Sequence, residues 1–85
     1  SNPAVAADVV IDLARYEHWS SADDVATLWN TFGQDDPLVR RSVAGYLLAC
    51  PLAAAKDHAA RLAGRDPALW DAAVQTVGLP ARKAD

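Results

Sequence analysis

Hydrophobic positions along the chain recur at helical spacing, and five helices are predicted between punctuating residues. The first covers about residues 4–17, with Asn2 as cap, Pro3 in the first turn, and Val5, Val9, Leu13 and Tyr16 on one face. The second covers 22–32. Ser21 is its N-cap with Asp24 in a capping-box position, Val25, Leu28, Trp29 and Phe32 form its stripe, and Gly33 ends it. The third covers 37–49. Asp36 caps it, Pro37 opens it, and Val39, Val43, Tyr46, Leu47 and Cys50 follow the helical period. Leu38, Ala44 and Leu48 widen that surface, so burial on two sides is expected.

The fourth helix covers 51–63, from Pro51 to a stop at Gly64. Leu52, Ala55, Ala59 and Leu62 face inward, and Lys56, Asp57 and Arg61 face out. The fifth covers 67–77. Asp66 caps it, Pro67 opens it, and Trp70, Ala73, Val74 and Val77 form its stripe. Gly78 and Pro80 stop it, and 79–85 is expected to fray. Period-two alternation rich in β-branched residues is absent, so no sheet is expected. Short connections make neighbouring helices antiparallel.

The Asp-Pro pairs Asp36-Pro37 and Asp66-Pro67 lie thirty residues apart, each after a helix end marked by glycine. Two helices per thirty residues is the signature of a helical solenoid, in which one hairpin cannot cover its own apolar face. The stretch Asp35–Leu47 resembles the first helix of a HEAT repeat, of the HEAT-like type found in phycobilin-lyase proteins. The matching residues are Asp36, Pro37, Val39, Arg40, Ala44 and Leu47. Residues 23–32 fit the second helix of a preceding repeat. Residues 51–77 repeat the cycle more weakly, with Trp70 and Asp71 where the family prefers Val and Arg. The run Tyr46–Leu52 also resembles C-terminal helical regions of bacterial proteins, a likeness that carries no activity.

The resemblance implies an all-α fold. It would be an α-α superhelix forming a right-handed stack of five antiparallel helices, about two and a half HEAT-like hairpins, with 1–85 as a single domain. It also implies a ladder in which Arg40 pairs with Asp36 or Asp66. The chain contains no methionine and opens Ser1-Asn2, which reads as a segment cut from a longer bacterial protein with a tag remnant in front.

A chain of 85 residues with 52% hydrophobic and 22% charged residues is that of one folded domain with a limited core. Net charge is −3 and unevenly spread. Residues 1–39 carry seven acids against Arg15, a balance of −6, and residues 40–85 carry seven bases against four acids, a balance of +3. The acidic balance argues against a nucleic-acid partner, since such binding rests on clustered Lys and Arg. No apolar run reaches the length of a membrane span.

Little in the chain points to chemistry. His18 and His58 lie forty residues apart without metal-ligand spacing, and both read as structural or solvated side chains. Cys50, the single cysteine, ends an apolar stripe and reads as a buried small hydrophobe rather than a nucleophile. Asp23-Asp24 and Asp35-Asp36 stand at helix starts, where acids cap and favour the dipole. No phosphate loop or nucleophile elbow occurs, so no enzyme activity, cofactor or metal is expected.

Trp29, Trp70 and Tyr46 read as core. Trp19 either plugs the end of the first hairpin or stands exposed for a partner. Arg40, Arg41 and Arg61 form the candidate basic surface. The expected function is a non-enzymatic interaction or scaffolding domain whose half-covered end helices meet other domains of the parent or a second copy, head to tail. The alternatives are an accessory domain of a larger enzyme and a weak anion- or nucleic-acid-binding surface.

Overall fold

The computed structural model describes the backbone of residues 3–84 and the side chains of residues 5–75. The cap and tag readings of Ser1 and Asn2, and the inward placement of Val77, lie outside the described residues. The fold is all-α: α1 is Pro3–Arg15, α2 Ala22–Thr27, α3 Pro37–Ala49, α4 Ala53–Arg65 and α5 Pro67–Ala84. Short 3-10 turns at Trp19–Ser21, Leu28–Asn30 and Phe32–Gln34 flank α2. No strand occurs among the described residues.

Helix α3 is the centre of the molecule, and its local rules are satisfied as read from sequence. The Asp36 carboxylate accepts from the Leu38 amide at 2.9 Å, and Pro37 occupies the first turn, where an N–H has no partner to lose. Val39, Val43, Ala44, Tyr46, Leu47 and Cys50 are all buried. Each large side chain among them contributes about 1.5–3 kcal/mol on burial. Ser42 is buried as well and donates its hydroxyl to the Val39 carbonyl at 2.8 Å, so its burial leaves no donor unpaired. Leu38 and Leu48, expected to widen the buried surface, are exposed.

Helix α3 packs against α1 on one side and α5 on another, while α2 lies against α4 and α4 also meets α3 and α5. Trp29 ties these elements together. It is fully buried, its ring lies 5.6 Å from that of Trp70, and its indole N–H donates to Asp66 Oδ2 at 3.3 Å. Arg40 Nε donates to the Trp29 carbonyl at 3.2 Å, and the guanidinium carbon sits 5.1 Å from the ring centroid, a cation–π contact. The ladder expected for Arg40 is therefore not formed. Arg40 serves Trp29, Asp66 accepts from the indole N–H, and Asp36 caps α3. The ion pair found among the described residues is Arg15–Asp12, and the His58 ring meets the Asp23 carboxylate.

The remaining elements depart from expectation for identifiable reasons. The second helix stops at Thr27, and its backbone breaks at Thr31 (φ −106°, ψ −98°), with Phe32–Gln34 forming a separate turn. The Ser21 side chain makes no cap bond, because the preceding 3-10 turn already leads into α2. Gly33 does not supply a left-handed stop. A Cβ there would lie 2.9 Å from the Leu28 carbonyl oxygen and 3.0 Å from Arg40 Cγ, so glycine is needed for close approach. Helix α4 begins after Leu52, which is exposed, and runs through Gly64 to Arg65. Helix α5 continues past Gly78 and Pro80 to Ala84, beyond the stop read from those two residues.

The largest departure is α1. Its buried residues are Ala7 and Val10, with Leu13 and Ala14 partly covered. Val5, Val9 and Tyr16, expected on the core face, are 56%, 50% and 75% exposed.

Candidate interaction surface

Helix α1 carries two apolar stripes. At about 100° per residue, Ala7, Val10 and Ala14 fall within one sector of about 60°, and Val5, Val9 and Tyr16 within another of about 40°, roughly 150° away. Only one stripe can face α3. The small-residue stripe takes that place, because alanines let two helices approach closely. The bulkier stripe is left outside. Ile11 adds a further exposed side chain, 40% accessible, on the remaining flank.

The end of α1 is fixed in a way that shapes this surface. The Glu17 amide donates to the Ala14 carbonyl at 3.0 Å and the His18 amide to the Leu13 carbonyl at 2.8 Å, a Schellman termination with Glu17 in the left-handed region (φ 56°). The Tyr46 hydroxyl donates to the His18 carbonyl at 2.6 Å, pinning the turn to α3. Burial pushes the Tyr46 phenol above its ordinary value, and Cys50 adds to the rise against a backbone hydrogen bond from Ser21 that lowers it. Trp19 packs edge-on to Tyr46 at 5.2 Å, half-buried, and so closes the end of the hairpin. The result is a shallow groove of about 260 Å³ lined by Val9, Asp12, Leu13, Tyr16 and His18. Asp8 and Asp12 are exposed along one edge of the stripe, Asp12 in a long 3.6 Å contact with Arg15.

The arginines singled out in the sequence do not form one patch. Arg40 is half-buried on Trp29 and lines a cavity of about 310 Å³ with Gly33, Asp35, Asp36 and Leu69. Arg61 lies on α4 and lines a separate cavity of about 180 Å³ with Asp23, Asn30, His58 and Arg65. Arg41 is half-buried on α3 and lines neither of these cavities.

His58 Nε2 lies 2.7 Å from Asp23 Oδ1, and Arg61 Nη1 lies 3.1 Å from His58 Nδ1. A guanidinium can only donate, so Nδ1 accepts and the ring proton sits on Nε2, facing Asp23. His18 Nε2 is 3.1 Å from the Ser20 hydroxyl on an exposed turn. Cys50 is buried.

Among the described residues, no group of three or more His, Cys, Asp or Glu is placed to hold a metal ion, and no helix is long and apolar enough to cross a membrane. Neither a protein-family model, nor a curated protein, nor a solved structure matches the chain.

The residues of the outer α1 face were visible in the sequence but assigned to the core. The signal that could have separated the two stripes is the second, smaller one, Ala7–Val10–Ala14, which competes for the same neighbour.

Proposed function

We propose that this domain acts by binding another protein, with the outer face of α1 as its contact surface, and that it does so as a short stack of HEAT-like hairpins without chemistry of its own. The observation that carries the reading is the exposure of Val5, Val9 and Tyr16 on a single face of one helix. Scattered exposed hydrophobics need no explanation, but three on one helix face beside a groove favour a contact surface. The packing of α3 on α1, α4 and α5, and of α2 on α4, supports the hairpin-stack part. The polar groups support binding over catalysis. Both ring nitrogens of His58 are engaged and the thiol is buried. Arg40 and Arg61 are held by Trp29 and His58, which favours a protein partner over an anion.

The test is site-specific photo-crosslinking in cells that express the domain, with the crosslinker at Val9 or, as control, at Asp57. The expected result is one dominant protein captured at Val9 and not at Asp57. That protein, purified, should form a binary complex lost in the Val9→Ser plus Tyr16→Ser variant. The same diffuse set of products at both positions refutes the reading.

A further inference from the structure

We infer that the outer face of α1 receives an amphipathic helix whose apolar stripe is bordered by lysine or arginine. This rests on the reading of that face as a contact surface and adds the chemistry of what fills it.

The shape of the surface sets the kind of element. Val5, Val9 and Tyr16 run along the helix at intervals of four and seven residues, in a strip one side chain wide that ends in the groove formed by Val9, Leu13, Tyr16 and His18. A second helix lying along α1 presents residues at the same spacing and covers such a strip along its length.

The charge sets the composition of its border. Asp8 and Asp12 stand within about 60° of the stripe on one side, and Glu17 is exposed beyond its end. The one base on this part of the chain, Arg15, makes only an exposed 3.6 Å contact to Asp12, which a better-placed partner can replace. Residues 1–39 as a whole carry −6. A helix with Lys or Arg on the matching border gains attraction on approach and holds one register.

A second copy of the chain is a poor occupant in either orientation. Two α1 faces laid antiparallel across a twofold axis bring Asp8 and Asp12 of both copies to the same border, where like charges are costly, and laid parallel they leave each acidic border without a basic partner. Head-to-tail stacking would place α5 of one copy on α1 of the next. The described positions of α5 turned away from buried Trp70 and Ala73 include Ala68, Asp71 and Gln75, which are small or polar and include another acid. Leu69 is exposed but sits beside the Arg40 cavity, to one side of that face. Among the described residues, α5 therefore offers α1 no matching stripe.

The test uses fluorescence anisotropy with two synthetic helical peptides of about 18 residues, long enough to span α1. Both carry the same leucine stripe, one bordered by lysine and the other by glutamate. At about 50 mM salt the lysine peptide is expected to bind at least about tenfold more tightly, and the difference is expected to shrink at about 500 mM. Asp8→Asn plus Asp12→Asn should abolish the preference while leaving residual binding. Val9→Ser plus Tyr16→Ser should abolish binding of both peptides while leaving the circular dichroism spectrum unchanged.

Equal binding of the two peptides, no binding of the lysine peptide, or binding indifferent to Val9 and Tyr16 overturns the inference. So does self-association in sedimentation that depends on Val9 and Tyr16, or Val9-dependent binding to vesicles of anionic lipid. A crosslinked partner that meets Val9 through an acidic segment or a strand edge overturns this inference alone and leaves the contact-surface reading standing. The absence of any partner at Val9 removes that reading itself.

Discussion

Glu17 holds a left-handed backbone conformation (φ 56°) that an L-residue with a Cβ adopts at a cost of about 1–2 kcal/mol. It does so because the Schellman bonds from Glu17 to Ala14 and from His18 to Leu13 require it, and because the Tyr46 hydroxyl fixes the next carbonyl. Glu17→Gly removes that cost. It also gives the unfolded chain more freedom, which returns about 0.5–1 kcal/mol, so the net gain is about 0.5–1 kcal/mol. For a domain of this size that raises the Tm by about 2–8 °C. Removing a carboxylate from a helix C-terminus is favourable in its own right, so Glu17→Ala is the control: it removes the same charge and keeps the left-handed cost. The assay is thermal unfolding by circular dichroism, with urea unfolding to give the free energy. The glycine variant is expected to exceed the alanine variant by about 1 kcal/mol. No gain of the glycine variant over the alanine variant would assign any stabilisation to charge and refute the left-handed backbone at Glu17.

Two glycines should respond with opposite signs. Gly33→Ala is expected to lose about 1–3 kcal/mol in urea unfolding, since its methyl would press on the Leu28 carbonyl and Arg40. Gly64→Ala, whose methyl would meet open space inside α4, is expected to gain about 0.5 kcal/mol. Tyr46 should give the fold an alkaline limit. Its phenol is raised in the folded state, so the stability tied to it is complete below the unfolded phenol's value near 10 and falls as pH rises through the higher folded value. Ultraviolet titration should show one tyrosine ionising only as structure is lost. Tyr46→Phe should remove that alkaline loss while costing about 1 kcal/mol at neutral pH through the missing bond to His18. Retention of the full alkaline loss in Tyr46→Phe would contradict this.

How much the sequence revealed varied from helix to helix. In α3 the cap, the opening proline and the apolar period all point the same way, and both bounds and the inward residues Val39, Val43, Tyr46, Leu47 and Cys50 were legible. In α1 the period was legible and the face was not. A helix that is apolar on two sides offers two solutions, and choosing the bulkier stripe ignores that close helix packing favours alanine. The break at Thr31 has no proline or glycine before it to announce it. The Arg40–Trp29 stack, the Trp29–Asp66 bond and the Asp23–His58 contact join residues 11, 37 and 35 positions apart, distances at which local pattern carries no information. Glycine was read as a stop at three helix ends. It ends none of the helices at Gly33, Gly64 or Gly78: the one left-handed stop among the described residues falls at Glu17, and α3 and α4 end on the negative φ of Cys50 and Asp66.

The assignment of α1's two faces is open to one direct measurement: urea unfolding of Val10→Ser beside that of Val9→Ser plus Tyr16→Ser. Val10 is 1% exposed, so a serine there loses apolar burial and buries a hydroxyl, and a loss of about 2–4 kcal/mol is expected. Val9 and Tyr16 are half or more exposed, and their joint replacement should leave stability within about 1 kcal/mol of the parent. A double variant that loses as much as Val10→Ser, or a Val10→Ser that loses nothing, would mean that the bulky stripe faces the core and no free contact surface exists on α1.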